Sequence, residues 1–271
     1  METCYRHPSR ETGVACSNCG RPICPACMTT TSVGMRCPEC ARQRTRVVSA
    51  RNMYSGRPIV TQALVAINAL VFLWELVGGA GLSGNGYVGS WVVQHGALFG
   101  PLVASGDWWR IVSSGFLHAS LIHIGFNMYA LWFLGGMLEP FVGHARFALI
   151  YFVSLLAGSF GALLVTPHAL TVGASGAVFG VAGAAIVDLR HRGIDPMQSG
   201  LVFFLGINLL LGFTLSGVSI GGHIGGLIGG SLAALVMTEA SKRRGVPAFV
   251  GPLLAAGVGV VAAVGAIATA H

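Results

Sequence analysis

Runs of about 16 to 21 apolar residues recur along this chain, close to the roughly 20 that a helix needs to cross a bilayer. They begin near Ile59, His118, Phe147, Ala174, Gly200, Gly221 and Phe249, which predicts seven membrane spans. Inside hydrocarbon every backbone N–H and C=O must be satisfied within the chain, so the expected class is an all-α polytopic membrane protein. Composition agrees, with 54% hydrophobic and 9% charged residues and a mean hydropathy of +0.72, far from a soluble domain. The first run starts late and follows a Cys-rich segment, which argues against a cleaved signal peptide.

The sixteen Lys and Arg residues give an orientation, because positive loops are retained on the cytoplasmic side. Nine precede the first span. Arg146 follows the second span, Arg190 and Arg192 the fourth, and Lys242, Arg243 and Arg244 the sixth; only Arg110 falls in an outward loop. The N-terminus is therefore expected in the cytoplasm and the C-terminus outside. Topology accounts for the net charge of +7, and no basic stripe with interleaved aromatics points to nucleic acid.

All seven cysteines lie in the first forty residues, as CYRH, CSNC, CPAC and CPEC. Cys4 with His7, Cys16 with Cys19, Cys24 with Cys27 and Cys37 with Cys40 make four pairs, the eight soft ligands of two tetrahedral zinc sites. Seven cysteines cannot all form disulfides, and the cytoplasmic side is reducing. A segment with so few apolar residues also needs metal to fold. The pattern resembles the B-box type of zinc finger. That resemblance implies a cross-brace, with Cys4, His7, Cys24 and Cys27 on one zinc and Cys16, Cys19, Cys37 and Cys40 on the other.

Spans two, four and six all run inward, so their first turns share one side of the bilayer. Span two carries His118, His123 and Asn127 there, span four carries Ser175 and span six carries His223. Polar groups at membrane depth are costly and mark function. Span four is the shortest, which places Ser175 below the outer surface. The preceding TPHALTVG must then be non-helical backbone lining a cavity. Apart from Asp107 in the first outer loop and Glu75 at the outer end of span one, every acidic residue lies in the cytoplasmic segments or near an inward end, so a Ser-His dyad is expected instead of a triad: Ser175 as nucleophile and His223 as base. His123, Asn127 and the Ser175 amide would then form an oxyanion hole. Gly176 with Gly180, and Gly222 with Gly226 and Gly230, are spaced for close helix packing.

The residues WWRIVSSGFLHASLIHIGFN, GGMLEPFVGHARF, GASG and GGHIGGLIGG, in this order, resemble the rhomboid intramembrane serine proteases over residues 59–239. The resemblance implies the same dyad and oxyanion residues, with Gly173, Gly176 and Gly226 supporting them. Trp109 and Arg110 match a loop-one motif, and Glu139 with Arg146 match the exit of span two. Phe179 stands where many relatives have a tyrosine beneath the catalytic histidine, and Phe can still stack. His118 is read as structural, bonding loop-one backbone, and Glu139 as a satisfied buried carboxylate. His95, His144, His168 and His191 are read as loop residues; Asn68 and Glu75 take no role.

Five segments follow: a B-box-like zinc domain at 1–43, a basic linker at 44–58, a six-span core at 59–239, a basic cytoplasmic loop at 240–248 and a seventh helix at 249–271. The expected activity is a serine endopeptidase that cuts membrane-spanning segments of other proteins near the extracellular face, without a cofactor for catalysis. Its partners would be those substrates, the lipid bilayer and a cytoplasmic protein bound by the zinc domain. The rival readings are a non-catalytic membrane chaperone or adaptor on the same fold, and a transporter, which would favour internal repeats.

Overall fold

A computed structural model describes residues 2–32, 34–42, 56–82, 89–203, 205–207 and 218–271. The chain divides into two compact units, Met1–Arg51 and Asn52–His271. Most of the expected 44–58 linker lies outside the described residues, as does much of the span expected from Gly200.

In the first unit, β1 (Glu2–Cys4) pairs antiparallel with β2 (His7–Thr12), and β3 (Thr29–Thr31) with β4 (Gly34–Arg36), before a short helix α1 (Pro38–Arg42). The β-branched threonines of β3 suit a pleated strand. Its buried apolar core consists of six cysteines and Ile23, too little to hold such a chain without a further constraint.

The second unit is helical. Long helices are α2 (Ile59–Val77), α6 (Leu121–Val142), α7 (His144–Val165), α8 (Ser175–His191), α9 (Ile220–Lys242) and α10 (Val250–Ala268). Between α2 and α6 lie three short ones, α3 (Trp91–Gly96), α4 (Gly100–Ala104) and α5 (Arg110–Ser113). Among the described residues, α2, α6, α7, α9 and α10 are long and apolar enough to cross a membrane, which supports a multi-pass membrane protein. Helix α8 has 17 residues, a rise of about 26 Å against a hydrocarbon core of about 30 Å.

Every residue from Ala177 to Ala185 is buried, so α8 is enclosed on all sides, as an all-apolar helix must be. Small residues allow this enclosure. A Cβ on Gly180 would strike Ser154 of α7 and, at 2.6 Å, the Gly226 carbonyl of α9; one on Gly230 would strike the Gly180 backbone. Without a hydrophobic drive in lipid, such backbone-to-backbone approach is what holds helices together. Helix α10 covers the outside of α7 and α9: Gly265 lies against Phe160, Gly259 against Val153 and Gly251 against Met237. The seventh expected span is therefore a packed part of this unit. Gly143 alone joins α6 to α7, at φ +86°, a conformation that only glycine adopts without strain.

Glu139 ties α6 to the start of α2. Its fully buried carboxylate accepts hydrogen bonds from the Val60 N–H (2.8 Å), the Thr61 N–H (2.8 Å) and the Thr61 hydroxyl (2.6 Å). Pro58, at the N-cap of α2, supplies no side-chain cap, so the carboxylate of another helix satisfies these free amides and meets the positive end of the dipole. Glu139→Ala would leave three buried donors unpaired, with an expected loss of about 2–5 kcal/mol. Reversible unfolding in mixed micelles measures it; a loss under about 0.5 kcal/mol would refute the cap, and Glu139→Gln should lose less than Ala.

Candidate active site

The segment before α8 is irregular but fully tied. Thr171 and Leu98 exchange backbone hydrogen bonds (2.9 and 3.0 Å), and the Gly173 N–H donates to the Ser114 carbonyl (2.9 Å). Gly173 has φ +122°, and this turn sets Ala174 as the N-cap and Ser175 as the first residue of α8. Ser175 is half-buried at a helix N-terminus, where backbone N–H groups lack intrahelical partners.

His223 arrives from the first turn of α9, whose Ser219 side chain accepts from the Gly222 N–H at 3.1 Å. A Cβ on Gly176 would meet the Gly222 carbonyl at 3.1 Å, and one on Gly226 would collide with the Gly176 backbone. The neighbour of Ser175 is thus packed on the neighbour of His223. The His223 ring, 7% exposed, stacks on Phe179 with centroids 4.2 Å apart at 14°. Its Nδ1 is buried with no hydrogen-bond partner among the described residues. Stacking, where a triad would use a carboxylate, orients this ring.

The other expected polar groups lie on α6. Ser120 caps the helix by accepting from the His123 N–H, so α6 starts at Leu121 and not at His118 as the hydropathy suggested. A Cβ on Gly173 would lie 2.7 Å from His123 Nε2 and 3.7 Å from Asn127 Nδ2, so both side chains reach the turn before Ser175. The Ala119 N–H donates to His123 Nδ1 at 3.4 Å. A neutral ring accepting at Nδ1 carries its proton on Nε2, so Nε2–H is a donor beside that turn. Asn127 Nδ2 gives one hydrogen to the His123 carbonyl (3.2 Å) and has a second to give.

The remaining expected residues brace this corner. Buried Arg110 binds Asp107 (2.9 Å) and the Ala97 and Gln94 carbonyls (both 2.8 Å), and Trp109 Nε1 donates to the His95 carbonyl (3.0 Å). One guanidinium with five donors thus ties the end of α3 and the loop before α5 to α5. The buried His118 ring sits edge-on to His123, at 5.1 Å. The His118 backbone N–H donates to the buried Glu75 carboxylate at 3.1 Å. Glu75, which hydropathy left without a role, fixes the chain just before α6. Arg146 does not meet Glu139; His144 does, with Nδ1 2.6 Å from Oε1. Three of the expected loop histidines lie on helices: His95 within α3, stacked on Trp91, His144 opening α7 and His191 ending α8.

In the N-terminal unit the ligand atoms of Cys4, His7, Cys24 and Cys27 lie within 4.8 Å of one another, as do those of Cys16, Cys19, Cys37 and Cys40. His7 Nδ1 is 3.9, 3.4 and 3.3 Å from the sulfurs of Cys4, Cys24 and Cys27, and the Cys19 and Cys37 sulfurs are 3.8 Å apart. Zn–S of about 2.3 Å and Zn–N of about 2.0 Å in a tetrahedron put ligand atoms about 3.5–3.8 Å apart, so both sets fit zinc. The Cys37 N–H, 3.3 Å from Cys16 Sγ, pulls that thiol down to about 6, towards the thiolate a metal takes. Burial and the sulfurs of Cys4 and Cys24 push Cys27 up to about 11. Three thiolates in the first set, or four in the second, could be held this close only around a cation, which either set could bind.

Residues 105–240 match the model of the Rhomboid domain. The chain is 34% identical over 200 residues to rhomboid protease GluP of Bacillus subtilis, an alignment covering 72% of this chain and 38% of that protein. It is 37% identical over 149 residues to Rhomboid-like protease 1 of Toxoplasma gondii, covering 51% of this chain and 50% of that relative. With the Bacillus subtilis protein YdcA it shares 34% identity over 146 residues, 73% of that protein's length. The chain thus spans half or less of the length of the first two relatives. With half of its own length matched by one domain model, and with these matches, the chain belongs to the rhomboid family.

Proposed function

We propose that this protein is an intramembrane serine endopeptidase working through a Ser175–His223 dyad. One observation supports the reading most: Gly176, next to Ser175, is packed on Gly222 and Gly226 of the α9 turn that carries His223, while His123 and Asn127 reach Gly173 from α6. The Ser175 hydroxyl attacks the scissile carbonyl carbon as His223 takes its proton; Nδ1 is sealed, so Nε2 is the base. The oxyanion takes hydrogen bonds from His123 Nε2–H, the second Asn127 N–H and the Ser175 amide. As the C–N bond breaks, His223 returns the proton to the leaving amine. A water then loses its proton to His223 and attacks the ester carbonyl; as the bond to Ser175 Oγ breaks, His223 returns that proton to Oγ and the acid product leaves.

Substrates are membrane-spanning segments of other proteins, cut near the extracellular face. The N-terminus faces the cytoplasm and the C-terminus the outside, on the charge asymmetry of the loops. Helices α2, α6, α7, α8 and α9 belong to the six-span core, whose remaining expected span lies largely outside the described residues, and α10 is the additional C-terminal span. The N-terminal unit is a B-box-like module that holds two structural zinc ions and offers a cytoplasmic partner a surface. It takes no part in the chemistry.

A fluorophosphonate probe tests the nucleophile directly. In lipid-reconstituted protein it should phosphonylate Ser175 alone, as read by peptide mass spectrometry, and labelling should fall at least about tenfold in His223→Ala, which lacks the base. Labelling at another serine, or at the same rate without His223, would favour a non-catalytic adaptor on this fold.

A further inference from the structure

Ser175 opens α8, and Asp188 and His191 close it about 24 Å away. At that far end a cavity of about 140 Å³ is lined by Arg146 of α7, Asp188 and His191 of α8, Thr238 and Ser241 of α9, and Phe141 of α6. A water takes about 30 Å³ of liquid, so a group several waters in size fits. The charges around it do not balance. Asp188 is paired with Arg192 at 2.7 Å and Glu239 with Lys242 at 2.6 Å. Arg192 also lies over the Phe141 ring at 4.0 Å. Half-buried Arg146 makes no hydrogen bond or ion pair to a described residue. The lining carboxylate, Asp188, is thus taken by Arg192, and the lining guanidinium, Arg146, is left without a partner among the described residues, in a partly apolar recess at the ends of four helices.

An unpaired, half-buried guanidinium is costly, and its planar fork matches phosphate oxygens two at a time. We propose that this cavity binds the phosphate of an anionic phospholipid, with Arg146 as the principal ligand and the Thr238 and Ser241 hydroxyls beside it. Its apolar walls, Val142, Ile150 and Met237 among them, favour a lipid over a free ion by also accommodating the glycerol and first acyl carbons. The site is remote from Ser175 and does not depend on the proteolytic reading.

The test uses the full chain in vesicles of phosphatidylcholine mixed with phosphatidylglycerol, released into mild detergent for native mass spectrometry. One phosphatidylglycerol per chain should survive release, and Arg146→Gln should weaken its retention about tenfold or more, as expected for a charge-assisted pair. Arg190→Gln, an exposed cation outside the cavity lining, should leave retention unchanged. Equal retention of both lipids, or equal loss in Arg190→Gln, would overturn the proposal. Inorganic phosphate is titrated separately into delipidated protein; if it raises the unfolding temperature in wild type but not in Arg146→Gln, and no lipid is retained, the ligand is free phosphate and the lipid reading fails.

Discussion

Ser175→Ala and His223→Ala should each reduce cleavage of a reconstituted single-span substrate by at least about 10³-fold, and the double variant should be no slower than either single one. The magnitude follows from removing a nucleophile or its base, with a residual rate supplied by binding and the oxyanion donors alone. Non-additivity is the sharper part, since two groups acting on one proton are lost together when either is lost. A factor of 10³ corresponds to about 4 kcal/mol of transition-state stabilisation. Single-turnover rates at saturating substrate measure it, with far-ultraviolet circular dichroism confirming that each variant folds. Multiplicative losses would mean that the two side chains act independently, which the dyad forbids. A Ser175→Ala enzyme within tenfold of wild type would place the nucleophile elsewhere.

Hydropathy reads the long helices of this chain well because lipid imposes a single demand, backbone satisfied within an apolar cylinder. The glycine spacing around Gly176 and Gly226 is equally legible, since a missing side chain reports close approach wherever it occurs. Partners distant in sequence are not legible. Glu75 holds the His118 amide and Glu139 holds the amides of Val60 and Thr61, across 43 and 78–79 residues. A carboxylate in an apolar run shows only that some donor must exist. A shared motif does not give contacts either: Arg146 lines a cavity, while His144 takes the Glu139 carboxylate. The short helices α3 and α5 were hidden for a related reason. Their order comes from Arg110 reaching carbonyls 13 and 16 residues away, and not from any periodicity of their own.

Chelation should unfold the N-terminal unit while leaving the rate of substrate cleavage unchanged. A zinc ion held by each set would contribute about 10–16 kcal/mol of binding free energy at neutral pH. The unit has no other source of comparable size, because its buried apolar residues are the cysteines themselves and Ile23. As purified, the chain should carry two zinc ions by elemental analysis, and its seven thiols should resist a disulfide reagent. After a strong chelator all seven should react, and protease should remove the first forty or so residues. Substituting Cys16 or Cys37 should halve the zinc, and the same should hold for His7 or Cys24, because each set forms one complete shell. Retention of both ions in a variant would show that the substituted residue is not an essential ligand. A fall in cleavage that tracks zinc loss would show that the two units communicate, and it would end the view that the module serves only partner binding.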